Sequence, residues 1–267
     1  MLKLIGCELA KLKRKKFISF VILSAFLFPP PLAVMMLTPS MVARYDTKAQ
    51  LFDDFYQFVL GYAVELLLPC VIAVIAAMLF FMERDNDTFK NLRTIPVTGT
   101  QMIFAKITVL FLFGLIFCLS SATVAILCGS LIAEVGGLGY KLWLAVKLGV
   151  FITAGTLPLV VLVVFFSRTY IFSTLLCIFY SVLSLTAEGC YEVMPKFLCW
   201  LMPIPLTNLW CAGDMIRHGA RESVGRLQYL IPTTMQTVLI LAVMSVLSVL
   251  LIDLLYKIGR ASCRERV

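Results

Sequence analysis

Glu83-Arg84-Asp85-Asn86-Asp87-Thr88-Phe89-Lys90-Asn91-Leu92-Arg93-Thr94-Ile95-Pro96-Val97-Thr98-Gly99-Thr100-Gln101-Met102-Ile103-Phe104-Ala105-Lys106 is a long charged interruption between two apolar runs, and its reading decides the fold. Asp87 can cap a short helix by accepting backbone N–H bonds, and acidic side chains suit the positive N-terminus of a helix. Phe89, Leu92 and Ile95 recur every third residue, which gives that helix one apolar side while Lys90 and Arg93 lie elsewhere on its surface. Pro96 ends it, because proline disfavours helical geometry in the residue before it. The apolar side of so short a helix has no covering of its own and calls for a partner.

The runs on either side have the composition of a membrane domain. Hydrophobic residues make up 61% of the 267-residue chain, charged residues 14%, and the mean hydropathy is +0.98. Soluble domains run nearer 45–50% apolar and about 25% charged. Stretches free of Asp, Glu, Lys and Arg cover 17–43, 66–82, 107–133, 148–167, 169–187 and 227–252. A crossing helix needs roughly 20 apolar residues, so these predict an all-α polytopic membrane protein with six transmembrane helices. The expected spans are about 17–38, 58–81, 103–132, 143–166, 170–187 and 231–256. They form one membrane domain over 1–257, with no room beside it for a soluble catalytic domain.

Before the first span, Lys3, Lys11, Lys13, Arg14, Lys15 and Lys16 accompany Leu2, Ile5, Leu9 and Leu12 on a helical face. This reads as an interfacial helix on the inner leaflet, or as a charge cluster that fixes orientation; both put the N-terminus in the cytoplasm. Pro29, Pro30 and Pro31 must bend or break span one. An outer loop is expected over Thr38 to Asp54. Glu65 falls inside span two, a turn or two from its outer boundary, and is expected to be an interfacial carboxylate within reach of water. Gly136, Gly137 and Gly139 mark a tight outer turn. Ser167, Arg168 and Thr169 form an inner turn too short for a second coupling helix.

After span five, the apolar piece Met194 to Pro205 is too short to cross and suits an outer re-entrant or interfacial hairpin. Pro195, Trp200, Pro203 and Pro205 are its candidate lid residues, and Trp200 and Trp210 fit an aromatic belt at the headgroups. Asp253 and Lys257 pair at helical spacing near the end of span six. The last ten residues, 258–267, read as translated sequencing-library adapter and are set aside as non-native.

Charge supports this topology. Inner segments hold twelve basic and five acidic residues (+7), outer segments eight and nine (−1), and the suspect tail adds +2 to reach the chain's +8. The basic balance therefore reports orientation in the membrane and needs no nucleic acid. Both termini are expected in the cytoplasm.

The loop resembles the first cytoplasmic loop of ABC-2 type transporter permeases. There a Glu ends the second span, a Thr-containing coupling helix and a Pro-Val turn follow, and a Lys opens the third span; the matching positions are Glu83, Thr88, Pro96, Val97 and Lys106. Glu8-Leu9-Ala10-Lys11-Leu12-Lys13-Arg14-Lys15 is similar to the start of the lantibiotic-immunity and bacitracin-export branch. The resemblance implies a permease subunit in the bacterial plasma membrane that exports a peptide or amphipathic compound. It would act with a second permease copy or sister permease and with a separate ABC ATPase chain that carries the ATP and Mg. It also implies that the short outer helices cap the exit of the path. On this reading Glu83, Arg84, Asp87, Thr88, Phe89, Leu92, Ile95 and Pro96 couple the permease to the ATPase. Phe89 and Leu92 would fill the ATPase groove, and Glu83 and Arg84 would fix the hinge.

Enzyme signatures are missing from the chain. It has no G-x-x-x-x-G-K-[ST], no G-x-S-x-G and no H-E-x-x-H. Nine cysteines include no CxxC pair, and the lone His218 excludes His-rich zinc patterns. Cys190, Cys199 and Cys211 all fall in the outer region, where one disulfide is allowed and no pairing follows. The span centres offer no acid–base relay of the kind a proton-driven pump needs, so the energy for transport must come from a separate ATPase. Two other classes would do without one: an ATP-independent channel or sensor, and an intramembrane enzyme. Ser120 and Ser121 lie in a span, but no base stands near them in sequence.

Overall fold

The computed structural model describes residues 1–267 other than 14–18, 20–22, 86–97, 132–134, 167–169, 221–224 and 263–267. Helical side chains at 81–85, 170, 171, 173, 174, 225–227 and 258–262 are likewise outside the description. All regular structure among the described residues is helical. The elements are α1 (Leu2–Lys13), α2 (Pro29–Met36), α3 (Lys48–Phe58), α4 (Glu65–Asp85), α5 (Gly99–Ser130), α6 (Leu138–Phe165), α7 (Tyr170–Gly189), α8 (Lys196–Leu201), α9 (Pro203–Arg217) and α10 (Thr234–Ser262).

Among the described residues, four helices are long and apolar enough to cross a membrane: Lys48–Phe80, Gly99–Ser130, Leu138–Phe165 and Thr234–Lys257. Ser24–Met36 and Leu175–Gly189 are shorter apolar helices. The 32 residues of α5 reach about 48 Å at 1.5 Å per residue. Its start is set by a capping box. Thr98 Oγ1 accepts from the Gln101 N–H at 3.3 Å, and Gln101 Oε1 accepts from the Thr98 N–H at 3.2 Å. Pro29 opens α2 at its first turn, where a missing N–H costs nothing. The proline triplet therefore starts a helix after a break at Leu27 and Phe28.

The expected loop over Thr38 to Asp54 is shorter than its charges suggested. A helical turn fills Pro39–Val42, and α3 begins at Lys48, capped by Thr47. α3 continues into α4 through a π-helical turn at Val59–Val64. Asp53 stays on this helix because Lys141 neutralises it at 2.6 Å, and Lys141 also donates to the Gly136 carbonyl at 2.8 Å.

α4, α5 and α6 make the centre of the bundle, with α7 on α4 and both α9 and α10 on α6. Close approach of α5 and α6 depends on Gly114 and Gly149. A Cβ on Gly114 would run into Thr153, whose hydroxyl is held by the Gly149 carbonyl at 2.7 Å. α5 and α6 run in opposite directions, so α1, the end of α4 and the start of α5 belong to one end of the bundle and α8 and α9 to the other. Trp210, expected at a headgroup belt, is a core residue with no exposed surface. Its indole donates to Thr234 Oγ1 at 3.1 Å, and its ring meets Phe151 edge-on at 4.7 Å.

Candidate functional site

The end of the bundle where α4 stops and α5 starts is assembled from α1, α4, α5 and α10. α1 is amphipathic: Leu12 is fully buried, Ile5 and Leu9 pack on the core, and Leu2 and Lys3 are exposed. Its Glu8 is buried against Lys106 of α5, which has no exposed surface at all. Lys106 Nζ donates to the Leu79 carbonyl of α4 at 2.5 Å and faces Glu8 Oε2 at 3.4 Å, while Lys11 takes Glu8 Oε1 at 2.5 Å. One ammonium thus ties three helices together. Thr100 of α5 donates to Asp253 of α10 at 3.1 Å, and Asp253 also pairs with Lys257 at 2.5 Å. Tyr256 packs edge-on to Phe80. Both helices flanking the 86–97 segment are therefore locked to the two terminal helices of the chain.

Of the coupling residues read from sequence, Glu83 and Arg84 fall on the last turn of α4, with their side chains outside the description. Asp87, Thr88, Phe89, Leu92, Ile95 and Pro96 lie outside the described residues. Glu8 and its contact with Lys106 were missed. A lone acid within a basic cluster is the sequence signal for such a partner.

At the opposite end the candidate lid residues come together. Pro195 caps α8, Trp200 donates to the Leu230 carbonyl at 2.9 Å, and Pro203 and Pro205 sit in the buried first turn of α9. Tyr191 donates to the Pro205 carbonyl at 3.0 Å, and burial pushes its phenol up, which keeps it a donor. The expected hairpin is thus two helices joined at Met202, and α9 extends to Arg217 along α6. Lys147 of α6 binds Asp214 at 2.9 Å, Tyr140 donates to the same carboxylate at 3.1 Å, and His218 stacks on Tyr140 at 3.9 Å.

Beside α9 lies a cavity of about 370 Å³ whose lining includes Arg44, Tyr45, Asp54, Tyr62, Tyr191 and Asn208. Phe58 and Tyr62 stack along its wall at 5.3 Å. Aromatic walls with a few placed polar groups suit a ligand that is itself part apolar. Behind Asn208, Glu65 and Glu188 are buried at 1% and 8% exposure. The expectation of a water-reachable Glu65 is corrected: α9 and α7 cover it. Asn208 was missed, since a single amide in an apolar run carries no pattern.

Among the described residues, no group of three or more His, Cys, Asp or Glu could hold a metal ion. The eight described cysteines are free; Cys190 is exposed, and Cys199 and Cys211 are buried, with burial pushing the Cys199 thiol up.

A comparison with curated proteins finds no match. A comparison with protein families matches residues 4–184 to the family described as ABC-2 family transporter protein. That stretch runs from α1 through most of α7 and includes the locked end of the bundle. The chain belongs to the ABC-2 family: it is a multi-pass membrane permease, a transport subunit without a catalytic domain of its own.

Proposed function

We propose that this permease is a six-span subunit of an ATP-driven exporter, with residues 1–257 as its membrane domain and the 258–267 tail foreign to it. Membership of the family implies an ATPase partner, and ATP and Mg would bind on that chain. Two permeases, identical or paired with a sister subunit, would sit on two ATPase subunits at the cytoplasmic face of a bacterial plasma membrane. α2 with the residues before it, and α7, would supply the two spans beyond the four long helices.

The observation that carries this reading is the lock around Lys106. A push on residues 86–97 reaches α4 and α5 at their ends, and the Lys106 bonds to Leu79 and Glu8 pass it to α1 without slack. Thr100 and Asp253 pass it to α10. A segment meant only to connect two spans would need none of these ties. On this reading Thr88–Ile95 would form the coupling helix, capped by Asp87 and ended by Pro96; Phe89 and Leu92 would enter the ATPase groove, and Glu83 and Arg84 would hold the hinge. The N- and C-termini would both be cytoplasmic, a topology that the charge asymmetry of the loops supports.

At the outer end α8 and α9 act as the lid over the exit, with Pro195, Trp200, Pro203 and Pro205 shaping it. The aromatic cavity under α9 fits a peptide or other amphipathic cargo, and the N-terminal sequence favours the lantibiotic-immunity and bacitracin-export branch, hence antibiotic self-protection. The experiment is co-purification. Phe89→Asp should abolish recovery of the ATPase with the permease while insertion into the membrane is unchanged. Unchanged recovery of the ATPase would refute the docking role.

A further inference from the structure

Glu65, at the start of α4, and Glu188, near the end of α7, meet behind the cavity at the lid end. Asn208 of α9 is their common donor: its Nδ2 lies 3.0 Å from Glu65 Oε2, 3.0 Å from Glu188 Oε2 and 3.1 Å from the Gly61 carbonyl. An amide nitrogen carries two hydrogens, so three acceptors already exceed what it can give. Glu65 Oε1 and Glu188 Oε1 are both buried and have no hydrogen-bond partner. The π-helical turn at Val59–Val64 shapes this place, because it turns the Gly61 carbonyl toward Asn208.

Among the described residues, the groups around the pair supply no positive charge. Tyr62 approaches from the π turn, Tyr191 from the segment after α7, Cys118 from α5, and Thr207, Asn208 and Cys211 from α9. The Thr207 hydroxyl stands beside Glu65 but donates at 2.7 Å to the Ile204 carbonyl. Lys147 is committed to Asp214. Arg44 lines the cavity, but among the described residues no arginine or lysine is bound to either carboxylate. Two carboxylates so buried cannot both be ionised without a compensating positive charge.

We propose that Glu65 and Glu188 form a proton-binding site that holds one proton between them and thereby fastens α9 to α4 and α7. A hydrogen on one carboxyl supplies a donor where Asn208 has none to spare, and it reduces two negative charges to one. Asn208 and Tyr62 also line the cavity, which gives the proton a polar route to the pair. The site stands on the packing of these three helices; only the description of α9 as a lid rests on the export reading.

The test is infrared spectroscopy of the full-length permease, with its ATPase, in lipid nanodiscs. A protonated carboxyl stretch should be present at neutral pH, move on ¹³C-glutamate labelling, and vanish reversibly at alkaline pH. Glu65→Gln and Glu188→Gln should each remove it, because a glutamine supplies the missing donor and lets the remaining carboxylate stay ionised. Amide bands in the same spectra report whether each variant is folded. No such stretch in the wild type, a stretch insensitive to ¹³C-glutamate or to pH, or one that survives in either folded variant would overturn the proposal. Failure of these results leaves the Phe89→Asp result untouched, so the proton site and the coupling helix fail separately.

Discussion

Lys106 shows how a single charge can be both buried and structural. Its ammonium has no solvent, so its hydrogens must go to protein, and the short bond is the one to the Leu79 carbonyl. Glu8 at 3.4 Å supplies charge balance more than hydrogen bonding, and the Phe80 ring face, 5.1 Å away, adds a weak attraction. Removing one member of such a pair leaves the other charge buried. Lys106→Met should therefore destabilise the permease by about 3 kcal/mol, measured by reversible unfolding in mixed micelles. Adding Glu8→Gln to that variant should recover part of the loss, because the buried carboxylate would otherwise have only the partly exposed Lys11 to balance it. A double variant no more stable than Lys106→Met would show that the helices are held by packing alone.

The elements differ in what sets their boundaries. α5 and α6 follow their apolar runs closely because nothing competes with burial there, and so they were legible in composition. α3 was not: Lys48, Asp53 and Asp54 read as loop, yet Lys141, 88 residues further on, neutralises Asp53 and lets the helix start early. Partners so far away in sequence leave no local pattern. Trp210 was misplaced for a related reason. An indole N–H is welcome at an interface or in a core that offers an acceptor, and only the fold reveals Thr234. The coupling residues from Asp87 to Pro96 were read from spacing and from family resemblance, and they rest on that reading. The contact between α5 and α6 gives a test at this scale. Gly114→Val would push branched carbons into Thr153, which cannot turn away without losing its bond to the Gly149 carbonyl. The expected cost is about 1–3 kcal/mol from overpacking, read as a lower unfolding midpoint, whereas Gly6→Ala inside α1, where nothing lies nearby, should cost nothing and stabilise the helix by up to about 1 kcal/mol.

For the molecule as a whole, orientation in the membrane decides whether the other assignments belong together. The end of α4, the start of α5, α1 and the far end of α10 lie at one end; the cavity, the carboxylate pair and the short helices α8 and α9 lie at the other. If the basic loops face inward, the first end meets an ATPase and the second meets the outside, as an exporter requires. Two native cysteines report on this without any substitution. Cys7 is exposed on α1 and Cys190 is exposed just after α7, at opposite ends of the bundle. A membrane-impermeant maleimide added to intact cells should label Cys190 and spare Cys7, and permeabilised cells should show both labelled. Peptide mass spectrometry separates the two sites. Cys7 labelled in intact cells with Cys190 spared would turn the molecule over, placing the segment from Asp87 to Pro96 outside, where no ATPase could reach it.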